Sequence, residues 1–186
     1  GASLATFLAA AAPAHGVAVD SLALGDPPGL RARRWPDVLR RYVSESRGLS
    51  RDVERNPLPS YRLAYRRRAG ADRARAFVRQ ARLNYALVRG HGRGRLAEEL
   101  TRVLAAGVPT SIAVGERSLL SPVPEIAGFV ADLPPRARAL CDVVVLAGRH
   151  HGWLHDVPMY LRTILVHLEH KSAFVPGAGR WPARLG

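Results

Sequence analysis

Residues Asp142 to Pro158 read DVVVLAGRHHGWLHDVP, and this stretch decides the fold class. Val143, Val144, Val145 and Leu146 form an uninterrupted β-branched and aliphatic run. A strand covered on both faces shows no polar alternation, so the run predicts a parallel strand inside an α/β sheet. The run ends before Gly148, the following loop carries His150 and His151, and from Val157 to Leu168 apolar residues return at helical spacing. Open α/β sheets place their chemistry in such a loop, at the carboxyl end of a strand.

Working outward, two more segments read as parallel strands. Val19 to Leu24 (VDSLAL) closes on the turn cluster Gly25-Asp26-Pro27-Pro28-Gly29, which puts Asp26 at a strand's carboxyl end. Val108 to Val114 (VPTSIAV) ends at Gly115-Glu116-Arg117-Ser118. Helices are predicted between and around them: Gly1 to Ala12, with Leu4, Phe7 and Leu8 along one side; Arg95 to Ala106, stopped by Gly107; Ser121 to Leu133; and Val157 to about Glu169. The alanine-dominated run Leu4 to Ala14 predicts a buried helix.

Between the first two strands, residues 30–94 change character: arginine crowds the segment and helical periods replace strand signals. Asp72 to Arg89 is the clearest helix, with shorter ones at Pro36 to Ser46 and Ser60 to Arg68 and breaks at Gly48, Asn56-Pro57-Leu58-Pro59 and Gly70. The segment reads as a helical cap inserted into the sheet domain. The chain therefore divides into core (1–29), cap (30–94), core (95–170) and an irregular tail (171–186). Alternation of strands and helices gives an α/β domain with a parallel sheet, flanking helices and a helical cap insertion.

Composition narrows the classes. At 186 residues and 47% apolar, the chain can build one substantial core. The formal charge of +13 suggests a polyanion partner, yet nearly all of it is arginine, Lys171 being the single lysine. With alanine, glycine and proline also abundant, much of it reads as compositional bias. Cys141 stands alone, which excludes an intrachain disulfide and a cysteine-based metal site and fits a reducing, cytoplasmic compartment. The histidines lack zinc-ligand spacing, so no metal and no cofactor is expected. No apolar run reaches the roughly 18 residues of a membrane span. Three parallel strands with an unpaired edge make a poor independent sheet, which predicts further strands supplied by upstream sequence or by a partner chain.

The order of these parts resembles the C-terminal portion of an α/β-hydrolase-fold protein, from just after the nucleophile turn. The pieces that carry the resemblance span residues 1–169: the helix Gly1 to Ala12, VDSLALGDPPG, the arginine-rich cap, VPTSIAVGERSLLSP and VVVLAGRHHGWLHDVP. Family members commonly show a glycine-containing loop, the catalytic histidine, an acidic residue five positions later and a proline seven positions later. Counted from His151, Asp156 and Pro158 fall on those positions.

The resemblance implies a hydrolase of ester, amide or related bonds. Its histidine, His151, would take the proton of a serine hydroxyl and return one to the leaving group, held in its tautomer by a carboxylate. His150 is the alternative by one residue, and His155 a third. The family's usual acid position is occupied by Ser118, which cannot stabilise an imidazolium by charge. Asp26, where some families of this fold carry their acid, or Glu116 in a shifted loop, would take that part. Asp26 also has a plain reading as a turn residue bonding its own backbone.

The nucleophile motif G-x-S-x-G is superficially matched by Gly1-Ala2-Ser3-Leu4-Ala5, but no strand precedes it, and the helix length typical of the family it resembles implies a serine upstream of Gly1. The resemblance implies a small, apolar or ester-like substrate, with Trp35, Tyr42, Tyr61, Tyr65, Phe77 and Tyr85 available to line a pocket under the cap. A non-catalytic binding module of the same fold, and a basic nucleic-acid-binding protein using the cap, are the alternatives. No helix-turn-helix, finger or RNA-binding signature supports the latter.

Overall fold

The computed structural model describes residues 2–55, 85–86, 89–90, 92–151, 153, 156–172 and 183–185. In chain order the elements are α1 (Ala2–Ala11), β1 (Leu22–Gly25), α2 (Trp35–Arg55), α3 (Arg95–Ala105), β2 (Thr110–Gly115), α4 (Val123–Asp132), the single turn α5 (Pro135–Arg138), β3 (Cys141–Leu146), α6 (Val157–Ser172) and β4 (Ala183–Leu185). The strands form one parallel sheet in the order β1-β2-β3-β4.

The register explains how the apolar runs are used. Ile112 pairs with Val143 and Val114 with Val145, and these side chains join Leu22 and Leu24 on one face. Leu100, Val103 and Leu104 of α3 and Ile126 of α4 close over that face, as do the alanines of α1. Ala113, Val144 and Leu146 point to the other face, where they meet Trp153 and the α6 residues Met159 and Val166. Both faces of β2 and β3 are covered, which is why neither sequence alternates. Ile112 and Leu100 are fully buried; shortening either to alanine costs about 2–5 kcal/mol in such a setting.

Four expectations need correction. The large side chains of α1 do not enter the core: Leu4 is 62% exposed, with Phe7 and Leu8 close behind, while Thr6 and Ala9 are buried. Small residues let this helix lie close to α3, so its wide apolar side is the one left outside. The second change is in α2, which runs through Gly48 instead of stopping there. Glycine inside a helix costs about 1 kcal/mol relative to alanine, but a Cβ at this position would stand 2.6 Å from Cε1 of His150, so its absence makes room for that ring. Thirdly, β1 begins at Leu22 rather than Val19. Finally, the tail is not wholly irregular: α6 continues to Ser172 and Ala183–Leu185 adds a fourth strand beside β3. The expected helices at 60–68 and, for the most part, 72–89 lie outside the described residues.

No helix among the described residues is long and apolar enough to cross a membrane.

Candidate functional site

The site is built where β1, β2 and β3 end. Asp26 follows Gly25, and its N–H donates to Ala113 O at 2.6 Å, so the pairing with β2 holds the residue just beyond the strand. Its φ of 48° lies in the left-handed region, which few non-glycine residues enter and which aspartate tolerates better than most. The side chain is almost wholly buried, at 1% exposure. An aspartate serving only its turn bonds nearby backbone N–H groups. Neither carboxylate oxygen of Asp26 accepts a hydrogen bond among the described residues.

Opposite Asp26 lies the loop after β3. The backbone of this loop is pinned against the loop after β2: Arg117 N–H donates to Arg149 O at 2.8 Å, and Gly148 N–H to the Glu116 carboxylate at 2.8 Å. Gly115 makes the approach possible, since a Cβ there would lie 2.5 Å from Arg149 O. Trp153 N–H returns to His150 O at 3.0 Å, closing a tight turn around His151.

These constraints bring His151 Nδ1 to 3.3 Å from Asp26 Oδ2. The two atoms stand within ion-pair distance but without hydrogen-bond alignment. Nδ1 is itself buried while 26% of the side chain is exposed, so the exposure falls on the rest of the ring. With Nδ1 turned to a carboxylate, Nε2 is the nitrogen left to exchange a proton.

The other expected residues have different partners. Glu116 holds the Gly148 N–H and no histidine contact is found for it among the described residues. Ser118 is buried and its hydroxyl accepts the Ser121 N–H at 3.1 Å, a turn-forming bond. Asp156, buried to 2%, forms an ion pair with Arg149 at 3.1 Å and faces the Met159 N–H at 3.4 Å, so it caps α6. Ser3 lies on α1, and no bond from it to His151 occurs among the described residues. His155, Tyr61, Tyr65 and Phe77 lie outside the described residues. His150 lies with its Nδ1 3.4 Å from Glu45.

Glu45 was not anticipated from sequence. It comes from α2 and is 4% exposed. One carboxylate oxygen accepts the His151 N–H at 2.5 Å and the other the Leu119 N–H at 2.6 Å. Arg41, one turn earlier, donates to Leu119 O at 2.6 Å. The signal was present: Val38, Tyr42 and Glu45 fall at i, i+4 and i+7, and Val38 is buried, so a glutamate occupies the inward stripe of the helix. Burial on the same side pushes the Tyr42 phenol up to about 12.

Two cavities are lined by described residues, the first of them next to Gly25 and Trp153. One of about 300 Å³ lies between α1, the sheet and α6, bordered by Ala2, Ala5, Ala23, Trp153 and Tyr160. It exists because Ala23, Gly25, Ser111 and Ala113 present only small side chains to that face of the sheet. Trp35 and Tyr85 border the other, about 330 Å³, together with Arg33, Arg89 and Arg93. Among the described residues no three histidine, cysteine or carboxylate side chains converge as metal ligands.

No protein-family model matches the chain, and no curated protein matches it.

Proposed function

We propose that this chain is the histidine- and acid-bearing portion of an α/β-hydrolase-fold hydrolase that cleaves an ester, amide or related bond through an acyl-enzyme. The observation that carries the reading is the approach of His151 Nδ1 to Asp26 Oδ2, at the ends of two strands of one parallel sheet, with the aspartate free of any turn bond among the described residues. His151 acts through Nε2, taking the proton of a serine hydroxyl as it attacks the substrate carbonyl. The Asp26 carboxylate stabilises the imidazolium so formed, and the ring then gives its proton to the leaving group.

The serine comes from upstream sequence or from a partner chain, on a strand that joins the free edge of β1. Leu22 N–H and Asp26 N–H both point to the β2 side, so the peptide groups of Ala23 and Gly25 face away from it. Exposed apolar side chains stand on the neighbouring helices: Leu4, Phe7 and Leu8 on α1, and Val157, Tyr160, Leu161 and Leu165 on α6. Added strands with a helix against α6 would cover them, and would put side chains into the 300 Å³ cavity. The substrate is a small, apolar or ester-like molecule enclosed by the cap.

The test is to prepare the 186-residue chain and a form extended upstream, and to assay both with an activated ester and a serine-reactive probe. The short chain should be inert and the extended form active. Activity of the extended form that survives His151→Ala would overturn the assignment, and activity of the short chain that survives Ser3→Ala would overturn the placement of the nucleophile.

A further inference from the structure

We infer that Glu45 is a positioning residue for His151: its buried carboxylate ties the histidine loop and the Leu119 loop to cap helix α2, so that the His151 ring stands at Asp26 only while the cap is seated.

A buried carboxylate is costly unless its oxygens are fully bonded. Glu45 meets that condition with two backbone N–H groups distant in sequence, 106 residues away at His151 and 74 away at Leu119. Neither bond serves α2 itself, as a cap or an i,i+4 pair would. Both are charge-assisted, the stronger kind of hydrogen bond. The contact falls on the backbone nitrogen of His151, so it fixes the point from which the imidazole projects. Arg41 and Gly48 lie on the same side of α2, one turn before and one turn after. Arg41 holds the carbonyl of Leu119, and Gly48 admits the ring of His150, whose Nδ1 lies 3.4 Å from the same Glu45 oxygen that receives the His151 N–H. The cap thus grips the loop at two consecutive residues and the neighbouring loop from both its N–H and its carbonyl. A displacement of α2 would release His151 from Asp26, making the base responsive to whatever the cap encloses.

The inference rests on the Asp26–His151 reading, and the test separates the two. In the 186-residue chain, the ring Cε1–H resonance of His151 is followed by NMR. Asp26→Asn should shift it, because the ring then loses a charged neighbour. In a Glu45→Ala background the same Asp26→Asn change should leave it where it was, while the β2 and β3 amide signals keep their positions. No shift in the otherwise unaltered chain overturns the pair itself and the positioning role with it. A shift that persists in Glu45→Ala overturns the positioning role alone and leaves the pair standing. Should Glu45→Ala fail to fold, Glu45→Gln decides: it keeps one accepting oxygen, so one of the His151 and Leu119 amides should exchange with solvent at least about tenfold faster than before, the loss expected for one hydrogen bond to a charged group. Unchanged exchange at both amides would overturn the inference.

Discussion

His150 and His151 are neighbours in the chain, yet each lies against a buried carboxylate of different origin. Asp26 follows the end of β1, whereas Glu45 comes from helix α2. The two carboxylates are used differently. Glu45 has both oxygens bonded to backbone N–H groups, so its charge is satisfied by the loops it holds. The oxygens of Asp26 accept no hydrogen bond among the described residues and have the His151 ring beside them. A buried polar group left without its bonds calls for an explanation in function rather than stability. The contrast is between a carboxylate saturated by loop backbone and one whose oxygens face a histidine ring.

The largest effect that should break this contrast is on turnover. In the upstream-extended form, Asp26→Asn should lower kcat by about 10⁴-fold, the loss seen when a triad carboxylate becomes an amide. Glu45→Gln should lower it by only about 10²-fold, the scale of a misplaced catalytic group. Steady-state kinetics on an activated ester distinguishes them, and equal losses would erase the difference in role.

Next comes the support beneath both pairs. Gly115→Ala pushes a methyl group onto the Arg149 carbonyl, which is backbone and cannot swing aside. It should destabilise the chain by about 1–3 kcal/mol, as overpacking does, read as a lower urea midpoint. Gly48→Ala is milder, because the obstacle is the movable ring of His150. Gain in helix propensity offsets part of the strain, leaving a net change within about 1 kcal/mol. NMR should show the His150 ring displaced with the His151 signals little changed.

The smallest effect lies away from both pairs, at Cys141 where β3 begins. Burial, with Asp142 beside it, pushes this thiol up to about 12. A raised thiol value means the native state disfavours the thiolate, so its contribution to stability is intact below the unfolded value of about 8.5 and is eroded as pH rises from there towards 12. At pH 8 the folded chain should not react with a thiol reagent, and reaction should track unfolding in urea.

Particular residues show how far the sequence could be read. β2 and β3 were legible because strands covered on both faces carry uninterrupted apolar runs, and Ile112 and Val143 sit where those runs predict. Asp26 was legible as one of two candidate acids, since a strand end is a privileged place. That Asp26 lies beside His151 while Glu116 takes the Gly148 N–H was not legible, because both contacts depend on how the loops pack. The α1 helix was misread: Leu4, Phe7 and Leu8 look like a core stripe, but alanine allowed the closer approach to α3 and turned them outward. In α2, Gly48 looked like a stop because its reason for being glycine is a ring about a hundred residues further along the chain.

The sequence by itself determined what period and composition control: parallel strands separated by helices, a helix over much of 35–55, and histidine in the loop after a strand. Those features arise from local geometry, in which side chains repeat every second residue in a strand and every 3.6 in a helix. Only the tertiary structure decided the partners. Asp26, Glu45 and His151 lie on three separate segments, and a contact at 3.3 Å or a bond at 2.5 Å between them depends on strand register and on where α2 rests. No local pattern records either, because both follow from how the whole chain packs.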